Sequence, residues 1–218
     1  MIFRISATDY AQTALVLPLL TMVRAQAPDI KFSVRPVAAD FAEELTRGRL
    51  EIALVTPEMA PETLKARKLF DEDYVCILRE GHPDADHLNM DAFCRLDHVI
   101  MSHDGTHFRG ATDIALDGIG RSRRVVAAMP GFLPATNLVR QSDMAAVVPR
   151  RLTMGATGIV VKDPPLPIIG FSKIAVWHQR VHHDPAHIWM RNKLADIVSL
   201  LAVNRQRMRP ARSDHFDL

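Results

Sequence analysis

The stretch VWHQRVHHDPAHIWMR, residues 176–191, places four histidines and an aspartate within ten positions, at 178, 182, 183, 184 and 187. Histidine and carboxylate are zinc ligands, and zinc needs three or four of them within bonding distance. Backbone conformation decides whether they can converge. His178 and His182 lie at i and i+4 and would meet on a helix. On a strand they would sit roughly 13 Å apart, at ~3.3 Å per residue. Residues 171–178 read as strand, because Ile174, Val176 and Trp177 favour extended backbone. Neighbouring His182 and His183 then point apart. Asp184-Pro185 is a helix start, with Asp as N-cap and Pro at the first helical position, where its missing N–H costs nothing. The segment is therefore expected to be strand, turn and helix, with structural or surface histidines and no metal.

A second candidate is SHDGTH, residues 102–107. Serine, histidine and aspartate together suggest a hydrolase. Here Ser102, His103 and Asp104 are consecutive, whereas triad partners come from separate chain segments that fold together. No G-x-S-x-G, H-E-x-x-H or phosphate-binding loop occurs. An enzyme is not expected. Cys76 and Cys94 form no framework and no C-x-x-C motif, so they read as free thiols.

The elements that must position these residues alternate. Residues 2–7 read as a strand. Residues 9–28 carry a helical apolar pattern that Thr8 or Asp9 can cap and that Pro18 should kink or restart. Strand 30–37 and a short helix follow, with Gly48 placed to end the helix. LEIALVT (50–56) is nearly continuous and apolar, as in a parallel strand buried on both faces. This alternation implies right-handed βαβ crossovers and an α/β fold. Residues 64–83 form two strand-like pieces across an acidic turn. The plan then repeats. Strand 97–102 leads to helix 110–120, and strand 122–129 to a helix and apolar strand within 131–149. A strand with a stiff turn follows at 158–167, and another strand at 171–179. Helix 185–206 should bury Ile188, Trp189, Leu194, Ile197, Leu200 and Leu201 on one side. The tail lacks periodicity and is expected to be mobile.

With 48% apolar and 24% charged residues the chain is a soluble globular type. A net charge of +2 gives no strong pull toward nucleic acid. No apolar run reaches the ~18–20 residues of a membrane span. MIFRISATDY has no signal-peptide layout, so a cytoplasmic location is expected.

FRISATDYAQTALVLPLL, GRLEIALV, LFDEDYVCILREGHP, SDMAAVVPRRL and AVWHQRVHHDPAHIWMR resemble, in order and spacing, the effector-binding domain of LysR-type transcriptional regulators over nearly all of residues 2–203. The likeness is greatest to the branch of nodulation and naphthalene–salicylate regulators, which shares the W-H…D-P…W-x-R pattern at 177–191. The resemblance implies two Rossmann-like subdomains joined by two crossover strands, in the manner of type II periplasmic binding proteins. The subdomains are expected at 1–76 plus 174–205 and at 77–173, with crossings near 76–80 and 170–175. Residues 206–218 would be the tail. Family members carry an N-terminal winged helix-turn-helix and a dimerisation helix that this sequence lacks. The resemblance therefore implies DNA contact only through that missing domain, a homodimer through this one, a tetramer in the full-length protein, and no cofactor.

In open α/β sheets ligands bind beyond the carboxyl ends of the strands, and between two subdomains that means a cleft. The strand ends give Thr8, Asp9, Pro36, Val37 and Thr56 in the first half. In the second they give Ser102, His103, Thr106, Pro130 and Phe132. Hydroxyls and amides at a helix start suit a carboxylate or phenolate, and Phe132 offers a flat apolar wall. Thr8 and Asp9 have the plainer role of capping a helix, Thr56 of finishing a strand, and 102–107 of forming a polar loop. The branch resemblance implies a small aromatic effector. Arg35 is the arginine near a strand end, on a side that need not face the cleft. Other readings are a free-standing solute-binding protein of a transporter, a small hydrolase, and a regulator controlled by a protein partner.

Overall fold

The computed structural model describes residues 1–207. Strand β1 (Ile2–Ala7) leads through Thr8 into helix α1 (Asp9–Ala11), a π-helical turn (Gln12–Val16) and helix α2 (Leu17–Gln26). The wide turn sits just before Pro18, and regular winding restarts at Leu17. This is the expected answer to a residue that lacks an N–H and crowds the preceding turn. Strand β2 (Lys31–Arg35), helix α3 (Phe41–Arg47) and strand β3 (Ile52–Val55) complete the first βαβαβ run. Gly48 closes α3 in the left-handed conformation at φ 74°, as its position predicts.

Strands β4 (Lys65–Glu72) and β5 (Tyr74–Arg79) flank the acidic turn. Helix α4 (Met90–Arg95), which the sequence reading passed over, is capped by Asn89 accepting from the Ala92 N–H at 2.9 Å. Then come β6 (Asp97–Met101), α5 (Ala111–Asp117), β7 (Arg124–Met129), α6 (Phe132–Arg140), β8 (Ala145–Pro149) and β9 (Ile159–Lys162). Strand β10 (Phe171–Trp177) and helix α7 (Pro185–Arg207) finish the described chain. From residue 208 on, the expected tail lies outside the described residues.

The strands form two five-stranded sheets, β2-β1-β3-β10-β4 and β7-β6-β8-β5-β9. In each sheet four strands run one way and one, β10 in the first and β5 in the second, runs against them. The chain passes from the first sheet to the second at Asp73, the single residue between β4 and β5. It returns through residues 163–170. Both crossings differ from expectation. Residues 74–76, counted on the sequence with the first half, pair with β8, and residues 171–173, counted with the second, pair with β4. Strand partners decide this, and they lie far away in the sequence. The crossings pack together so tightly that a Cβ on Gly170 would lie 1.9 Å from the Glu72 carbonyl oxygen.

The apolar strands are buried on both faces, and side-chain alternation divides them. Ile52, Leu54, Val75, Ile77, Ala146 and Val148 join one large core shared by both sheets with Leu15, Leu19, Leu194 and Ile197. Ala53 and Val55 face a smaller core under α3, and Cys76, Leu78 and Ala145 one under α4 and α5. Helix α7 returns to the first half and buries Met190, Leu194 and Ile197. Its apolar face differs from expectation. Ile188 and Leu200 are exposed, while His187 and Arg191 turn inward. Their aromatic contacts, His187 on Phe3 and Arg191 over Trp177, explain the rotation. No helix among the described residues is long and apolar enough to cross a membrane.

Candidate functional site

The histidine-rich segment is a strand, a single 3-10 turn (Gln179–Val181) and a helix. His178 Nδ1 accepts from the Arg180 N–H, and His182 Nδ1 accepts from Trp177 Nε1 at 3.2 Å. His183 meets His182 edge to face, and Asp184 caps α7 by accepting from the His187 N–H at 3.0 Å. Arg191 stacks 4.5 Å above Trp177 and donates to the carbonyls of Val181 and His182. These contacts hold the turn together. Among the described residues no three histidine, cysteine or carboxylate side chains converge as a metal site.

A cavity of about 170 Å³ lies between the two sheets. The ends of β1 and β3 supply Thr8, Asp9 and Thr56, and the start of α6 supplies Phe132. His103 enters from the loop after β6. Five of the ten residues expected from strand ends thus meet here. The other five do not line it. The carbonyl of exposed Pro36 accepts from Ser6 Oγ at 3.1 Å. Val37 packs on the core under α3. Ser102 Oγ donates to Asp104 and accepts from the His107 N–H, and the exposed Thr106 N–H also goes to Asp104. These bonds hold Asp104 well below the usual carboxylate range. Loop 102–107 therefore satisfies itself. Pro130 is exposed, and Arg35 turns away to Glu44 at 2.7 Å.

Strand-end reasoning missed Tyr10, Met59, Tyr74, Met101, Phe171 and Lys173, which also line the cavity. Tyr10 and Tyr74 each meet Phe171 with ring centroids 5.6 Å apart. Burial pushes the Tyr74 phenol up to about 12 and raises that of Tyr10 too, so both stay un-ionised. Lys173 is 2% exposed, and burial brings its ammonium down to about 8 against the opposing pull of Asp9. A lone lysine in the apolar strand FSKIAVW was the one signal the sequence offered for it.

Asp9 does not cap its own helix. Thr8 Oγ1 does, accepting from the Ala11 N–H at 3.3 Å. The Asp9 carboxylate instead crosses the cleft and accepts the N–H groups of Phe132 and Leu133 at the start of α6. Two unpaired N–H groups and the positive end of the helix dipole hold it there. Gly131 permits this approach, since a Cβ on it would lie 2.5 Å from Asp9 Oδ2. Beneath the cavity, Glu72 is fully buried between the Tyr10 hydroxyl and Arg151, with Arg151 Nη1 2.8 Å from its carboxylate. A wider, mainly apolar hollow between α5 and residues 166–171, lined by Ile114, Ile119 and Ile169, adjoins the cavity at Tyr74 and Phe171. It lacks the convergent polar groups of the inner cavity, which is the better ligand site.

Residues 2–198 match the family model described as the LysR substrate binding domain. The chain is 27% identical over 204 residues to the transcriptional activator NagR of a Ralstonia species, covering 90% of this chain and 67% of that protein. It is 26% identical over 196 residues to the transcriptional regulator SyrM 1 of Sinorhizobium fredii, covering 88% of this chain and 57% of that protein. The chain thus spans between 57% and 67% of the length of these curated relatives. The regulatory domain of MexT, a transcriptional activator of Pseudomonas aeruginosa, superposes with a TM-score of 0.76 at 26% identity, over 90% of this chain and 97% of that one. The fold is that of the LysR regulatory domains, two α/β halves of the type II periplasmic-binding-protein kind. By sequence, by strand order and by the cleft between its sheets, the chain belongs to the LysR substrate-binding domain family, the effector-binding part of LysR-type transcriptional regulators.

Proposed function

We propose that the cavity between the sheets receives a small aromatic effector of a single ring, and that its occupancy resets the two halves relative to each other. The observation that carries this reading is the composition of the wall. Tyr10, Tyr74, Phe132 and Phe171 surround a space of about 170 Å³, with Thr8, Thr56 and Lys173 at its edges. A dry cavity of about 150 Å³ holds a benzene ring, so one substituted ring matches the space. Both halves line the cavity, and Asp9 links them through α6. A ligand that binds one arrangement more tightly shifts the population toward it.

The effector is bound and released unchanged. In the whole regulator, working in the cytoplasm, the shift passes through a homodimer formed by this domain to a tetramer, and a separate helix-turn-helix domain contacts DNA. The test is thermal unfolding against a panel of substituted benzoates, phenols and anilines. A compound at 100 times its dissociation constant adds about 2.7 kcal/mol if it binds only the folded state. A saturable rise in Tm that Phe132→Ala removes supports the cavity. A rise that Phe132→Ala leaves intact places the ligand elsewhere, and no rise with any single-ring compound refutes the aromatic reading.

A further inference from the structure

We propose that Lys173 is the specificity-determining residue of this cavity and selects effectors that carry an anionic oxygen, a carboxylate or an ionised phenol. The proposal rests on the effector-sensing reading above. Lys173 stands in β10, paired across the sheet with Phe70, and is 2% exposed. Its amine lines the cavity but has no hydrogen bond or ion pair among the described residues. Its neighbours are the rings of Tyr10 and Phe171, 5.7 and 5.8 Å from the nitrogen. Burying a charge without a partner is costly, so a position serving only packing would favour an apolar side chain.

The neighbouring charged groups are engaged with other partners. From α1, Asp9 gives its carboxylate to the Phe132 and Leu133 N–H groups. Glu72, at the end of β4, is taken up by Arg151 and the Tyr10 hydroxyl. Tyr10 and Tyr74 remain neutral through burial, and His103 enters from the loop after β6. The α6 terminus, otherwise an attractive seat for an anion, is already filled by Asp9. Among the described residues, Lys173 is the ammonium or guanidinium that lines the cavity, and an incoming anion meets it there. Because burial holds Lys173 down to about 8, an anion arriving in more alkaline solution must be accompanied by a proton, and the paired amine then titrates higher.

Calorimetry with benzoate and its neutral isostere benzamide tests this, on the unaltered chain and on Lys173→Met. The chain should bind benzoate at least about tenfold more tightly than benzamide, the usual scale of a charge-assisted hydrogen bond. Lys173→Met should lose that preference. A second readout does not depend on the ring. In protein labelled with 13C at lysine Cε, the Lys173 signal, assigned by its loss in Lys173→Met, should titrate near 8 and move upward with benzoate or with concentrated acetate. If acetate moves the midpoint while neither aromatic probe binds, the aromatic reading fails and the anion reading stands. Equal affinities for benzoate and benzamide, a preference that survives Lys173→Met, or a midpoint that no carboxylate moves would each overturn the assignment.

Discussion

Arg151→Met should cost about 3–5 kcal/mol of stability, the usual penalty for stranding one partner of a buried ion pair. Arg151 and Glu72 have side chains only 5% and 0% exposed. Arg151 Nη1 donates to Glu72 at 2.8 Å and to the Asp71 carbonyl at 3.1 Å, and its guanidinium stacks 3.9 Å above Phe70. The other Glu72 oxygen accepts the Asp73 N–H at 3.1 Å, and Tyr10 donates to the carboxylate from α1. The network ties the first helix, the crossing at Asp73 and the chain after β8 into one point beneath the cavity. Without Arg151 the carboxylate keeps only a hydroxyl and one amide, in a site closed to water.

The pair is not itself a large net stabiliser. Arg151 Nε is buried with no hydrogen-bond partner among the described residues, so its dehydration is incompletely repaid. This yields a signature that simple loss of packing would not give. The double variant Arg151→Met/Glu72→Gln removes both charges and leaves a neutral amide that Tyr10 and Asp73 can still satisfy. It should be more stable than Arg151→Met alone, with a coupling of about 2 kcal/mol or more. Urea unfolding followed by circular dichroism at pH 7, with slopes checked for equality, measures all four corners of the cycle. A cost below 1 kcal/mol for Arg151→Met, or additive single variants, would refute the reasoning.

Three further outcomes follow from the same geometry. His98 donates from Nε2 to the Phe93 carbonyl at 2.7 Å and accepts from Arg123, and burial brings it down to about 4. The unfolded chain takes up that proton from about pH 6.5 and the native one only near 4, so up to about 3 kcal/mol is lost as pH falls between them. Unfolding free energies at pH 7 and 4.5 should show a drop that His98→Gln lacks, and matching drops would disprove the assignment. Asp9→Ala should cost about 1 kcal/mol through the lost helix cap. Gly131→Ala should do the same by displacing that carboxylate, and melting curves of the double variant should show no additional loss. Additive losses would mean that the two residues act separately. Gly170→Ala drives a Cβ into the Glu72 carbonyl and should cost about 3 kcal/mol; an unchanged midpoint in urea would show that the crossings can separate.

Local chemistry was legible in the sequence. Pro18, Gly48 and Asp184-Pro185 marked a helix restart, a helix end and a helix start, because each acts on backbone atoms within a turn of itself. The double alternation of strands and helices, and the ordered segments that resemble LysR regulators, were enough to name the fold. Strand ends brought Thr8, Asp9, Thr56, His103 and Phe132 to one cavity, since the carboxyl ends of parallel strands face the cleft by construction.

What the sequence could not decide was which polar groups spend their bonds on each other. Ser102 and Thr106 read as ligand donors until Asp104 took them up, and Asp9 read as a cap for its own helix although its acceptor role lies across the cleft at Phe132. The partners of Asp9 and Glu72 lie 123 and 79 residues away in the chain, beyond any local pattern. Composition and periodicity thus determined the elements and their order, because those depend on neighbours along the chain. Only the packing of the two sheets decided that Lys173 is buried in the cavity beside the rings of Tyr10 and Phe171, because burial and pairing depend on neighbours in space.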